Sequence, residues 1–255
     1  MKRIVIILLV LIAAGYLAFC ALLYFKQRSF LYFPTPEAKI TGSTSVSLTN
    51  EGETVRVWTR EIEGTDAVIY FGGNAEDVSN NFLRFSALLP DKSLYFVNYR
   101  GYGGSTGTSS EAALFSDALA VYDSIHEKHG HIFVIGRSLG SGVAVYLAAN
   151  RKVDKLVLVT PYDSIENVAQ KRFRIFPVSL ILQDKFDSAS RVQNINAKTI
   201  AIEAENDEVI PRANSDALTA RFPADQIVIK VVDGTNHNSI GMSRVYFDAV
   251  VDFLR

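Results

Sequence analysis

The sequence predicts an α/β fold: a mostly parallel, doubly wound sheet with an N-terminal antiparallel hairpin, preceded by one membrane-spanning helix. Three observations carry this expectation. Short, β-branched apolar runs alternate with helical stretches along most of the 255 residues, as central parallel strands and their crossover helices do. Residues 4–25 carry no charge. A Gly-x-Ser-x-Gly motif stands where one apolar run meets a helical stretch. The composition, 48% hydrophobic and 21% charged, can supply a packed core.

The uncharged run comes first. As a helix its 22 residues span roughly 33 Å, enough for a hydrocarbon layer of about 30 Å. A cleaved signal has a shorter apolar region of about 7–15 residues. Leu17-Ala18-Phe19-Cys20 resembles a lipoprotein cleavage box, but Phe19 stands where Gly or Ala is expected. Residues 1–25 therefore read as an uncleaved transmembrane anchor. Lys2 and Arg3 before it favour a cytoplasmic N-terminus and an extracytoplasmic body, a bias that Lys26 and Arg28 weaken. Residues 26–42, with Pro34 and Pro36, read as an extended connector.

The remainder, 43–255, reads as one domain. Residues 46–48 and 55–62 form a hairpin around Asn50-Glu51-Gly52. Residues 67–71, 94–99, 132–135, 156–159, 200–204 and 227–232 are the apolar runs that read as strands. Residues 79–88, 110–128, 139–150, 212–221 and 242–254 are the helices between them. Residues 163–197 break the rhythm, with two helix-like pieces around Pro177 and no strand, and read as a small inserted lid. Within it, Lys171-Arg172-Phe173-Arg174-Ile175-Phe176 reads as a solvated helix end with core-facing aromatics, or as a contact for anionic headgroups.

Composition also excludes functions. Without Lys2 and Arg3 the chain keeps 24 basic against 27 acidic side chains, so it lacks the basic surplus of a non-specific nucleic-acid binder. A single cysteine cannot form an internal disulfide, a thiolate zinc site or an iron–sulfur cluster. His126, His129 and His131 lie at the N-terminal end of the strand at 132–135, away from the edge where α/β ligands bind. They read as a solvated helix end rather than a metal site.

The chemistry concentrates in Gly136-Arg137-Ser138-Leu139-Gly140. Between a strand and a helix this motif is a nucleophile elbow: the serine sits on a strained turn with its hydroxyl exposed, at the positive end of the helix that follows. Behind such a nucleophile the acid and then the histidine follow in chain order. Only His237, in Gly234-Thr235-Asn236-His237-Asn238, lies after Ser138. Asp207 ends a strand candidate and fits the acid; Asp163 is the runner-up, with Glu205 and Glu208 as neighbours. An oxyanion hole needs backbone N–H groups. Leu139 supplies one, and the loop Gly72-Gly73-Asn74 supplies the other from Asn74. The loop Asn98–Gly107 has Thr106 where a dinucleotide fingerprint needs its third glycine, and reads as structural.

Taken in order, Phe-Gly-Gly-Asn, Asn-Tyr-Arg-Gly-Tyr-Gly-Gly-Ser, Gly-Arg-Ser-Leu-Gly-Ser-Gly, the Asp207 segment and Gly-Thr-Asn-His resemble the α/β-hydrolase superfamily. The chain is most similar to its small, N-terminally anchored serine hydrolases, a branch related to the serine aminopeptidase and prolyl oligopeptidase group that includes acyl-protein thioesterases. The resemblance covers residues 43–255. It implies a serine hydrolase acting on carboxylic esters or thioesters, with Ser138, Asp207 and His237 as triad and no cofactor or metal. Lipids or lipidated proteins are the substrates a membrane-tethered enzyme would meet. A peptidase, or a catalytically silent binding module, is the alternative. One departure stands out: Gly72 occupies a position where the family often has His, which implies a looser oxyanion loop.

Overall fold

The computed structural model describes residues 1–38 and 44–255; the expected boundary at residues 42–43 lies outside them. The apolar runs become the strands β1 (Thr44–Asn50), β2 (Glu53–Arg60), β3 (Ala67–Phe71), β4 (Ser93–Val97), β5 (Ile132–Arg137), β6 (Lys155–Val159), β7 (Lys198–Ala204) and β8 (Ile227–Val232). They form one sheet in the order β1-β2-β4-β3-β5-β6-β7-β8. β1 and β2 pair antiparallel, β2 joins β4 antiparallel, and every later pairing is parallel. The hairpin turns on Glu51 and Gly52, both at positive φ, as a two-residue loop with the twist of its strands requires.

The helices are α1 (Lys2–Leu31), α2 (Val78–Leu88), α3 (Glu111–Ile125), α4 (Leu139–Asn150), α5 (Ile165–Arg172), α6 (Val178–Ile181), α7 (Arg212–Thr219) and α8 (Arg244–Leu254). β3 and β4 are buried along their whole length, because helices cover both faces of the sheet. On one face Leu114 of α3, Val143 and Leu147 of α4 and Leu218 of α7 pack into a single core. On the other, Phe82 and Phe85 of α2 meet Phe247 and Val250 of α8. Asp77, Ser110 and Ser164 accept from the first-turn N–H groups of α2, α3 and α5. That is why these helices start just after a short polar residue.

Two expectations are corrected. The N-terminal helix does not end at residue 25. It continues through Lys26–Leu31 and stops at Tyr32, two residues before Pro34, so the first part of the expected extended connector is helical. The cause is tertiary. Gln27 donates to the Ile181 carbonyl (2.9 Å) and accepts from the Gln183 N–H (2.6 Å), and Arg28 pairs with Asp184 at 3.1 Å. The lid aromatics do not face the core either. Phe173 is half exposed, and Phe176 stacks on Tyr16 of α1 with ring centroids 5.8 Å apart.

Glu203 of β7 is a buried carboxylate whose two oxygens have no hydrogen-bond partner among the described residues. Burial pushes its pKa up; Arg212, 3.7 Å away, only partly offsets this, and Asp216 and Asp207 add to it. In acid the side chain is protonated in both the folded and the unfolded chain. As pH rises the unfolded chain ionises first, and the folded state loses stability. Glu203→Gln is therefore expected to match the wild-type melting temperature near pH 4 and to exceed it by about 2–4 °C at pH 8, checked by thermal melts across that range.

Candidate active site

Ser138 stands between β5 and α4 with φ 49° and ψ −117°, a conformation that L-residues adopt only under strain. The surroundings enforce it. The Ser138 N–H donates to the Val159 carbonyl at 2.8 Å, and its own carbonyl accepts from the Ser141 N–H at 2.9 Å. A Cβ on Gly136 would overlap the Gly140 carbonyl and the Ala144 side chain. One on Gly140 would overlap the Phe71 carbonyl at the end of β3. These two glycines let the elbow sit directly against the sheet.

Asp207 and His237 reach this point from the ends of β7 and β8, the two strands beyond β6. The loops after β7 and β8 are stitched together: the Asn206 N–H donates to the Thr235 carbonyl at 2.9 Å, and Gly234 N–H to the Glu205 carboxylate at 2.8 Å. His237 Nδ1 then lies 2.8 Å from Asp207 Oδ2, and Nε2 lies 2.9 Å from Ser138 Oγ. Asp207 Oδ1 also accepts from the Val209 and Ile210 N–H groups at 2.9 and 2.7 Å, which fixes the carboxylate plane. The side chains of both His237 and Asp207 are more than nine-tenths buried. The three residues expected to meet are thus in hydrogen-bond contact. Asp163, the other acid considered, is held by Asn167 and Asn214 at the base of the lid. His126, His129 and His131 each bond elsewhere, to Asp123, to Thr65 and Tyr95, and to Asp154.

The loop after β3 lies against the elbow: a Cβ on Gly73 would stand 3.6 Å from Ser138 Cβ. Gly72 does not loosen it. The Gly72 carbonyl accepts from the Tyr99 hydroxyl at 2.7 Å, and the Gly73 N–H donates to Glu76 Oε2 at 2.7 Å. The Gly73 amide is engaged, while those of Asn74 and Leu139 have no acceptor among the described residues. The Asn74 side chain accepts from the Tyr102 hydroxyl (2.7 Å) and the Phe33 N–H (3.0 Å), and donates to the Leu31 carbonyl (2.6 Å). The loop at 98–107 is therefore a buttress of this one, through Tyr99 and Tyr102.

Glu76 and Arg137 escape sequence reasoning. Glu76 accepts from Tyr70 (2.7 Å), Asn81 (2.8 Å), the Gly73 N–H and Arg137 (3.1 Å). Arg137, the second residue of the elbow motif, reaches on to the His237 carbonyl at 3.4 Å. Burial opposes its charge, but the Glu76 carboxylate, with Tyr70 and Tyr246 beside it, more than offsets this and holds its pKa above the ordinary value. One ion pair thus ties the elbow, the Gly72–Asn74 loop and the histidine loop. The only sequence signal was an acid three residues past Gly73. Glu76→Gln leaves a largely buried guanidinium without its counter-charge, and is expected to cost about 3 kcal/mol. A drop of roughly 6–12 °C in melting temperature, with lowered kcat, checks it.

Over Ser138 lies a cavity of about 420 Å³ lined mainly by Leu31, Leu139, Ile165, Val168, Phe173 and Ile210, with Arg172 and Glu208 as its charged residues.

Sheet order, the elbow and a histidine on the loop after the last strand define an α/β hydrolase. The solved esterase Pf2001 of Pyrococcus furiosus shares the fold with a TM-score of 0.71 at 18% identity, over 88% of this chain and 98% of its own. The enol-lactonase of Burkholderia xenovorans does so with a TM-score of 0.62 at 14% identity, over 82% and 99%. The chain belongs to the serine hydrolase (FSH1) family, which matches residues 26–234. The uncharacterized protein Rv2307c of Mycobacterium tuberculosis is 31% identical over 98% of this chain and 94% of its own length. Protein bem46 of Schizosaccharomyces pombe is 25% identical over 75% and 68%.

Proposed function

We propose that this serine hydrolase cleaves carboxylic esters or thioesters at Ser138, tethered to a membrane by α1. The observation that carries the proposal is the continuous Asp207–His237–Ser138 hydrogen-bond chain beside two free amides and under an apolar cavity. Ser138 Oγ attacks the acyl carbon while His237 Nε2 takes its proton. Asp207 keeps the other ring nitrogen protonated and stabilises the imidazolium. The Asn74 and Leu139 amides receive the oxyanion. The tetrahedral adduct collapses as His237 protonates the departing alcohol or thiol, leaving the acyl group on Ser138. Water, deprotonated by His237, then releases the acid. No step calls on a metal or an organic cofactor.

A fluorophosphonate probe should label the wild type and not Ser138→Ala. A panel of p-nitrophenyl esters set against aminoacyl anilides should favour the esters; preference for the anilides would make the chain a peptidase. A folded wild type that does not label would make it a silent binding module.

Helix α1 is long and apolar enough to cross a membrane. Lys2 and Arg3 at its start support a cytoplasmic N-terminus with the catalytic body on the far side. Protease digestion of oriented vesicles tests this, and cleavage of the body from the cytoplasmic face would reverse it.

A further inference from the structure

Next to the cavity over Ser138 lies a second one of about 520 Å³ between α1 and the lid helices α5 and α6. Leu31, Ile165, Ala169 and Phe173 line both. The α1 wall of the passage runs from Leu31 back to Phe19, about 18 Å of helix. Among the described residues its lining holds one polar side chain, Gln27. That amide is fully engaged, donating to Tyr24 and Ile181 carbonyls and accepting from the Gln183 N–H.

A second observation says where the far end opens. Phe19 belongs to the uncharged stretch 4–25. The lid follows α1 into that stretch: the Tyr16 hydroxyl donates to the Ile175 carbonyl at 2.7 Å, and Phe19 packs on Phe176 with centroids 5.4 Å apart. Tyr16 lies about 14 Å along the helix from Phe25. The outer side of this part of the lid shows Ile175 and Leu180, 75% and 79% exposed. Such side chains suit lipid rather than water.

We propose that this passage binds the long acyl chain of the substrate, which enters sideways from the bilayer and brings its carbonyl to Ser138. The proposal rests on the hydrolase reading above and on α1 spanning a membrane. An extended chain advances about 1.2 Å per bond, so the α1 wall accommodates about fifteen bonds, the length of a long-chain fatty acyl group. Burial of each further methylene adds to binding until the passage is filled.

The test uses the full chain in lipid nanodiscs with p-nitrophenyl palmitate and p-nitrophenyl butyrate. Wild type is expected to favour palmitate in kcat/KM by about tenfold or more. Leu23→Trp and Ile181→Trp fill the passage from opposite walls at positions that do not line the Ser138 cavity. Each is expected to lower the palmitate-to-butyrate ratio by about tenfold or more. A wild type without palmitate preference, or a ratio unchanged in both variants, overturns the assignment and leaves the passage to a resident lipid or a partner's helix. Fluorophosphonate labelling separates this from the underlying reading. A wild type that labels and cleaves butyrate but fails these tests loses only the acyl passage; one that neither labels nor cleaves loses both.

Discussion

Ser138→Ala is expected to lower kcat for p-nitrophenyl butyrate by about 10⁶-fold with little change in KM. In the proposed mechanism the hydroxyl oxygen forms and breaks the acyl bond, and its partner in the structure is His237 Nε2 at 2.9 Å. Nothing else in the elbow depends on it. The bonds that hold the turn, to Val159 and Ser141, are backbone bonds. Alanine and serine pay the same conformational cost at φ 49°, since both carry a Cβ. The melting temperature should therefore stay within about 2 °C of wild type. What rate survives comes from the Asn74 and Leu139 amides and from substrate binding. Stopped-flow and steady-state assays of the purified variant measure it, and retention of more than about one-hundredth of the wild-type kcat would place the nucleophile elsewhere.

Asp207→Asn is expected to lower kcat by about 10⁴-fold, and the local geometry gives the reason. Oδ1 accepts from two N–H groups, those of Val209 and Ile210. The carbonyl of the new amide must take that position, because an NH₂ there would face two donors. Its NH₂ then takes the Oδ2 position, the nearer of the two oxygens to His237 Nδ1, at 2.8 against 3.0 Å. Nδ1 becomes an acceptor, the ring proton moves to Nε2, and Nε2 can no longer take the Ser138 proton. Nuclear magnetic resonance of the imidazole nitrogens reports the tautomer directly. A normal rate with Nε2 protonated would remove His237 from the role of base.

The sheet was legible because its central strands are apolar on both faces, and such runs leave little choice of structure. Ser138 was legible because a strained elbow demands small neighbours on both sides, and glycines in that pattern are conspicuous. His237 needed only chain order, and Asp207 only its place at a strand end. Glu76 and the hydroxyls of Tyr99 and Tyr102 were not legible. Each acts on a backbone group that the fold brings to it, and no periodicity or spacing marks such a role. The last six residues of α1 were hidden for the same reason: what keeps Lys26–Leu31 helical is the lid, more than 150 positions later in the chain for Gln27 and Arg28. The sequence points to the Asn74 amide alone, whereas its side chain is the link to the end of α1.

That link has a mechanical meaning. The stem passes into the body with no swivel: Gln27, Arg28 and the Leu31 carbonyl are each fastened to it. With α1 across a membrane, as proposed, a head mounted this way would keep one tilt and one altitude over the lipid. It would not sweep the aqueous space around it, and the bonds it could cut would be those that present themselves at that fixed height.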